Sequence, residues 1–359
     1  MLHFLWSGYN LTEGCYQRYE YSNLEIAKWA EYYLSQKTNF HQSSWLAGKV
    51  TDDPDDILIG HLTWYTKNVD IEQPRLLRNW VTDNALHPDQ KCHPNTYILF
   101  PWVPEFPPNW VQNMPFYEQQ LRTVNKIFAL CGEIWIDKTF AKQDNSIQYE
   151  VREKLIHSNM GVASQNFPIK KEKFNEIGER QLIHISNLAG YKGFDVTCMS
   201  LMGLDTLLHV ASPSLDADVG LFEVDVNGQG FVFNFLGEIN NNDSEFNHWV
   251  VENCDFYIHT GYMDAQATTT LENAARGLIP LVTPESGFAC PDAIYLTFDP
   301  EENRKIIEWA LNLPEEELIK RSQLIRRYVE KEHNWQNIYD KIWNEILIDI
   351  ERRKANLST

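Results

Sequence analysis

Short apolar runs alternate along the chain with stretches of helical spacing, which suits an α/β architecture, and a length of 359 residues suggests about two domains. His3 to Ser7, Asp55 to Leu62 and Asn95 to Pro101 read as buried strands. Between the first two, Tyr21 to Ser35 puts Leu24, Ala27, Trp29, Tyr32 and Leu34 on a partly apolar helix face. The polar turn Asn10 to Gly14 links that helix to the first strand, and strand, glycine-containing loop and helix at the start suit a doubly wound domain. Val103 to Pro108 is rigid loop, because its prolines cannot continue a helix. Met114 to Leu130 returns to helical spacing, and Gly132 to Asp137 is expected to be the last parallel strand of the first domain.

The second half repeats the alternation. Arg180 to Asp195 reads as strand, loop and helix start. Leu207 to Ala211, Phe231 to Leu236, Asp255 to His259 and Leu278 to Val282 read as further strands. Phe246 to Asn253, Pro300 to Leu313 and Glu315 to Glu330 read as helices. A last apolar stripe (Trp335, Ile338, Tyr339, Ile342, Trp343 and Ile346) is explained by core packing.

The most informative stretch runs from His259 to Thr283. Asp264 and Glu272 stand with seven residues between them, and Thr269 precedes Glu272 at capping-box spacing. Ala274 and Ala275 favour helix, and Gly277 supplies a left-handed stop. The helix start carries free N–H groups and a partial positive charge, which suits a phosphate. Taken alone, the same residues are also explained by a helix cap at Glu272 and a solvated loop residue at Asp264.

The stretch resembles the E-x7-E signature of retaining GT-B glycosyltransferases of the group 1, family-4-like type. Leu271, Glu272, Ala275 and Gly277 match that pattern, while Asp264 replaces the first Glu and Ala265 the following Gly. Lys192 and Gly193 resemble the end of the family's G-R-L-x-x-x-K-G loop, with Asn187 where Arg is usual. Gly161, Val162 and Phe167 resemble its interdomain hinge, and Asn334-Trp335 the start of its final helix.

The resemblance implies two Rossmann-like domains facing each other across a cleft. The acceptor-side domain would cover residues 1–165, joined by a returning helix at about 336–359, and the nucleotide-sugar domain residues 166–335. It implies that Lys192, Asn187 and the helix start at Thr268, Thr269 and Thr270 stabilise a leaving diphosphate. Glu272 would hold ribose hydroxyls, and Asp264 the donor sugar. Gly14 would lie under the diphosphate, the backbone around Gly237 and Ile239 against the base, and Gly287 at donor phosphate or sugar. His61 resembles the histidine of the family's D-V-V-H-A-H segment, although a structural histidine at a strand end explains it as well. The histidine usual after the next strand is missing from Pro101-Trp102-Val103-Pro104. Glu105, His87 and His93 are therefore acceptor-side candidates by proximity alone. The family needs no metal for departure, so the expected ligands are a nucleotide-diphosphate sugar and a glycan, lipid-linked or small-molecule acceptor, with no cofactor. A catalytically inactive scaffold and a sugar-nucleotide epimerase share this architecture and remain the alternatives.

Composition narrows the picture further. A net charge of −19 over 359 residues argues against nucleic acid, whose phosphates demand a basic surface. Hydrophobic residues at 43% place the chain among globular proteins. No apolar run approaches the roughly 20 residues of a membrane span. The six cysteines lack C-x-x-C spacing and read as reduced thiols, so the expected compartment is cytoplasmic, with peripheral membrane association left open. His87, Cys92 and His93 fit no common zinc spacing, and Asp216-Ala-Asp218 and Asp225 are loop-like. Asn227 to Gly230 lacks the third glycine and the following helix of a dinucleotide fingerprint.

Overall fold

The computed structural model describes residues 1–6, 9–10, 15–16, 21–44, 50–61, 93–100, 124–140, 152–213 and 232–357. The chain divides into two compact units. The first comprises Met1–Cys131, Ile136–Asn159 and Trp335–Thr359, and the second Gly132–Trp135 and Met160–Asn334.

The first unit opens with β1 (Leu2–Trp6), a short antiparallel ribbon of β2 (Tyr9–Asn10) and β3 (Cys15–Tyr16), and α1 (Tyr21–Leu34). It continues with β4 (Phe40–Ser44), β5 (Ile57–His61), β6 (Thr96–Phe100), β7 (Lys126–Leu130), α2 (Glu133–Phe140, whose residues up to Trp135 are assigned to the second unit) and β8 (Leu155–Ser158). Six of these strands form a parallel sheet in the order β4-β1-β5-β6-β7-β8. The direction of winding reverses between β1 and β5, and His61 is the last residue of β5 at that reversal. The inner strands β1 and β6 are buried throughout, as a sheet covered on both faces requires.

Two expectations are corrected here. Gly132 to Asp137 is not a strand: the strand is Lys126–Leu130, and Glu133 begins a helix. The run GEIWID is too short for its period to separate the two, and Glu133 sits where a helix start favours a carboxylate. The helical spacing read up to Leu130 accordingly fails over Lys126–Leu130, while residues 114–123 lie outside the described residues. β4 went unrecognised because an edge strand with the sequence FHQSS carries no apolar run.

The final helix, Trp335–Leu357, packs on this unit. The Tyr339 hydroxyl donates to the Ile26 carbonyl at 2.6 Å, and Lys126 pairs with Glu345 at 2.9 Å. Its charged end is partly engaged, because Arg353 donates to Asp349 and Asn95.

The second unit contains β9 (Gln181–Ile185), α3 (Phe194–Leu201), β10 (Leu207–Ala211), β11 (Val232–Gly237), α4 (Ser244–Asn253) and β12 (Phe256–His259). It continues with α5 (Thr268–Arg276), β13 (Ile279–Val282), β14 (Ile294–Tyr295), α6 (Pro300–Leu311) and α7 (Glu315–Glu332). The strands are parallel in the order β11-β10-β9-β12-β13-β14. That is the doubly wound order 3-2-1-4-5-6, which opens a crevice beyond the carboxyl ends of its first and fourth strands, here β9 and β12.

Side-chain caps start two of the helices of this unit. The Asp243 carboxylate accepts from the Glu245 and Phe246 N–H groups before α4, and Asp299 followed by Pro300 opens α6. Leu182, Ile183, Leu208, Val210, Phe256, Ile258 and Leu281 are fully buried in the core. Cutting one such Leu or Ile back to Ala costs about 2–5 kcal/mol. Each unit is thus built on a six-stranded parallel sheet, the α/β arrangement expected for a doubly wound domain. Among the described residues no helix is long and apolar enough to cross a membrane.

Candidate active site

The loops leaving β9 and β12 are bound to each other. After β9 the chain passes Ser186 and Asn187, turns through a short helical segment at Gly190–Lys192, and reverses at Gly193 into α3. Gly193 is left-handed, with φ 65°, and a Cβ there would lie 1.9 Å from the Thr260 carbonyl oxygen. Only glycine permits both the angle and the approach. Thr260 sits just after β12, and its hydroxyl donates to the Gly193 carbonyl at 2.5 Å. The Tyr262 N–H donates to the Tyr191 carbonyl at 2.8 Å. These bonds bring Lys192 to Asp264, with Nζ 2.5 Å from Oδ2.

Both side chains of the pair are largely buried. Burial alone would favour the neutral form of each, but the opposite charge overcomes it. Asp264 is held well below the ordinary carboxylate range by Lys192 and by a hydrogen bond from His259, and Lys192 is raised by Asp264. The pair is ionised at neutral pH. The Asp264 N–H donates to the Glu285 carbonyl at 3.1 Å, which fixes the loop that carries the carboxylate.

That loop leads directly into α5. Ala267 is the N-cap and no side chain caps the helix, which corrects the capping box. Thr269 instead shares a hydrogen bond with the Tyr257 hydroxyl at 2.7 Å, and Glu272 accepts from the Asn241 amide at 2.6 Å. Two tertiary partners outcompete the local cap. The N–H groups of Thr268 and Thr269 therefore make no hydrogen bond among the described residues. They stand at the positive end of the helix dipole, a ready anion site. The far end follows expectation: Gly277 is left-handed, with φ 95°, and its N–H closes the helix on Ala274 and Asn273.

The turn after β13 lies against the same loop. Gly287 is left-handed, with φ 78°, and a Cβ on it would lie 2.4 Å from the Ala265 carbonyl oxygen. Ala267 donates to the Ser286 carbonyl and Gln266 to that of Gly287. Gly287, Ala265, Thr268, Thr269 and Thr270 are thus brought together with Lys192 and Asp264 at one end of one sheet.

Other predicted residues stand apart. Asn187 is exposed, and its side chain accepts from the Ala189 N–H at 3.3 Å within its own turn. Gly237 ends the edge strand β11 and is left-handed, with φ 74°, and Ile239 lies just beyond it. His61 belongs to the first unit. His93 is engaged locally: its Nε2 donates to the Asp53 carbonyl at 2.9 Å, and its Nδ1 accepts from the Asn95 N–H. Gly14, His87 and Glu105 lie outside the described residues, as do Asp216, Asp218 and Asp225.

Sequence reasoning missed four residues here. His184 is fully buried at the end of β9; its Nδ1–H donates to the Ile258 carbonyl and its Nε2 accepts from Ser186. Burial pushes it down to about 3, so it stays neutral. His259 is equally buried and contacts Asp264 through Nε2 at 3.2 Å. Arg276, fully buried, donates to Asn247, Asn273 and Asn241 and lies 4.6 Å from the centre of the Phe167 ring. Asn241 bridges Arg276 to Glu272. The strand-end positions of the two histidines were the available signal. Leu188 is the one non-glycine described residue with positive φ, at 53°, and it strains the loop beside Asn187.

No protein-family model matches the sequence, and a search of curated proteins returns no match. Solved structures do match. WaaG, a glycosyltransferase involved in lipopolysaccharide biosynthesis, aligns at TM-score 0.59 and 12% identity over 96% of this chain and 99% of its own. TarM from S. aureus, solved as a point mutant with fondaparinux, alpha-GlcNAc-glycerol and UDP, aligns at 0.57 and 11% identity, over 94% of this chain and 61% of its own. Anabaena HepE in complex with UDP-glucose aligns at 0.52 and 11% identity over 70% and 71%. At this identity the likeness speaks to the fold, and the chain shares its GT-B fold with these proteins.

Proposed function

We propose that the chain is a retaining glycosyltransferase that moves a sugar from a nucleotide-diphosphate donor to a glycan, lipid-linked or small-molecule acceptor. The observation that carries this reading is the convergence of the Lys192 ammonium, the Asp264 carboxylate and the free N–H groups of Thr268 and Thr269 beyond β9 and β12. As the bond from the anomeric carbon to the diphosphate breaks, its electron pair stays on the phosphate oxygens. A fixed ammonium and a helix start stabilise that charge without reorganising, and do so more strongly in a water-poor site than in bulk solvent. Asp264 then orients the donor sugar through its hydroxyls, and Glu272 the ribose. No step in this reading passes through a metal.

The departures from the family pattern bear on rate rather than on the class of reaction. Asn187 supplies no charge beside Lys192, so the leaving group relies on one side-chain cation and the helix start. UDP and UDP-glucose are the first ligands to try, because TarM and HepE were solved with them.

A thermal-shift screen of nucleoside diphosphates and their sugars is the primary test. A ligand at 100 times its dissociation constant stabilises the folded state by about 2.7 kcal/mol. Product analysis should then show transfer, or slow hydrolysis without acceptor, with the anomeric configuration kept. Epimerised donor would support the epimerase instead. Absence of any nucleotide-sugar binding would leave the scaffold.

A further inference from the structure

We infer that His259 is a positioning residue for Asp264, locked in place by Gly261, and this rests on the transferase reading above. A carboxylate oxygen only accepts, so the imidazole must carry its proton on Nε2 to meet Oδ2 at 3.2 Å. Lys192 bonds that same oxygen. Oδ1 makes no hydrogen bond among the described residues, so the two protein donors hold one edge of the carboxylate and leave the other for a substrate hydroxyl.

The ring has no freedom to do otherwise. His259 is fully buried, with its ring centre 5.6 Å from that of His184 and 6.3 Å from that of Tyr257, and its Nδ1 has no hydrogen-bond partner among the described residues. An unpartnered buried nitrogen is costly, and the bare lone pair of the Nε2–H tautomer is the cheaper way to bury it.

Gly261 supplies the second, independent observation. A Cβ on it would lie 2.8 Å from His259 Nε2, so the backbone two residues on closes over the imidazole where it faces Asp264. Thr283 pins that backbone by donating to the Gly261 carbonyl at 2.7 Å. The titratable groups around the ring are Asp264, Lys192, His184 and Tyr257. Burial and Lys192 push its pKa down while Asp264 pushes it up, with a net lowering.

Nitrogen-15 NMR of the intact chain tests the geometry without any ligand. The expected spectrum shows a neutral His259 protonated on Nε2 at pH 7; an Nδ1–H tautomer or an imidazolium overturns the inference. His259→Phe keeps the ring and removes the donor, whereas His259→Gln restores an N–H at the Nε2 position. His259→Phe should raise the Asp264 carboxyl pKa in a carbon-13 titration, and His259→Gln should bring it back. With the donor found in the screen, His259→Phe and Gly261→Ala should lower kcat about 10- to 100-fold through a displaced carboxylate. Binding of the nucleoside diphosphate, which lacks the sugar, should stay within about twofold of wild type, and His259→Gln should recover most of the turnover. Full turnover in His259→Phe, or no recovery in His259→Gln, overturns the inference while leaving the transferase reading intact. A wild-type chain inert toward every nucleotide sugar removes both.

Discussion

Lys192 Nζ and Asp264 Oδ2 meet at 2.5 Å although 72 residues separate them, because they leave the first and fourth strands of one doubly wound sheet. Removing the cation does two separable things. Lys192→Ala should weaken UDP binding by about 1.5–3 kcal/mol, the worth of a hydrogen bond to a charged group. That is roughly 10- to 150-fold in dissociation constant. It also strands a largely buried carboxylate, costing about 1–3 kcal/mol of stability. A double variant, Lys192→Met with Asp264→Leu, should recover much of the stability and none of the binding. Calorimetric titration with UDP and urea denaturation measure the two effects. UDP binding at wild-type strength in Lys192→Ala would remove Lys192 from the diphosphate site.

The same pair sets a pH window. Asp264 is lowered from its ordinary value of 3.8, so its contribution is present above that value and fades as pH falls toward the folded one. Lys192 is raised from 10.5, so its contribution is present below that value and fades as pH rises beyond it. The stability gap between wild type and Asp264→Asn should therefore be flat from about pH 5 to pH 10 and shrink in acid below about pH 4. Urea midpoints measured across that range test this. A gap that already collapses between about pH 5 and 7 would mean the pair is not what holds the loops.

Glycines at two positions separate backbone strain from steric clash. Gly178 and Gly193 are both left-handed, at φ 95° and 65°. A Cβ meets nothing within 4 Å at Gly178 but lies 1.9 Å from the Thr260 carbonyl at Gly193. Gly178→Ala should cost about 1–2 kcal/mol, the left-handed penalty alone. Gly193→Ala should cost clearly more and also weaken UDP binding, because the loop carrying Lys192 must move. Equal losses at the two sites would show that the approach to Thr260 yields without consequence.

Much of this was legible in the sequence because central parallel strands are apolar on both faces. Phe256 to His259 and Ile279 to Val282 stood out for that reason, and Gly277 announced the end of α5. The edge strand Phe40–Ser44 did not, since half of it faces away from the core. The capping box misled because spacing cannot reveal that the Tyr257 hydroxyl and the Asn241 amide claim Thr269 and Glu272. Arg276 was missed for a related reason. By sequence it is a cation at a helix carboxyl end, where solvent and dipole suffice; in the fold it is fully buried among asparagines. Lys192 and Asp264 could be proposed separately from the pattern. Their contact, and the part of His259 in it, exists only once β9 and β12 lie side by side.

Arg276, Asn241 and Glu272 form a relay whose direction can be argued from chemistry. A guanidinium only donates, so the Asn241 oxygen must face Arg276, at 3.2 Å, and its amide nitrogen must face Glu272, at 2.6 Å. The amide therefore orients the carboxylate proposed to hold the ribose. Asn241→Ala removes one hydrogen bond to that carboxylate and should weaken UDP binding by about 0.5–1.5 kcal/mol. Asn241→Asp keeps an acceptor for Arg276 but sets a second carboxylate against Glu272. Its thermal stability should stay close to that of Asn241→Ala, because the new charge pairs with the guanidinium. Its UDP binding should fall further, because Glu272 must turn away or take up a proton. Titration calorimetry and melting curves on the two variants decide the matter: if Asn241→Asp binds UDP as well as wild type, Glu272 does not depend on this amide.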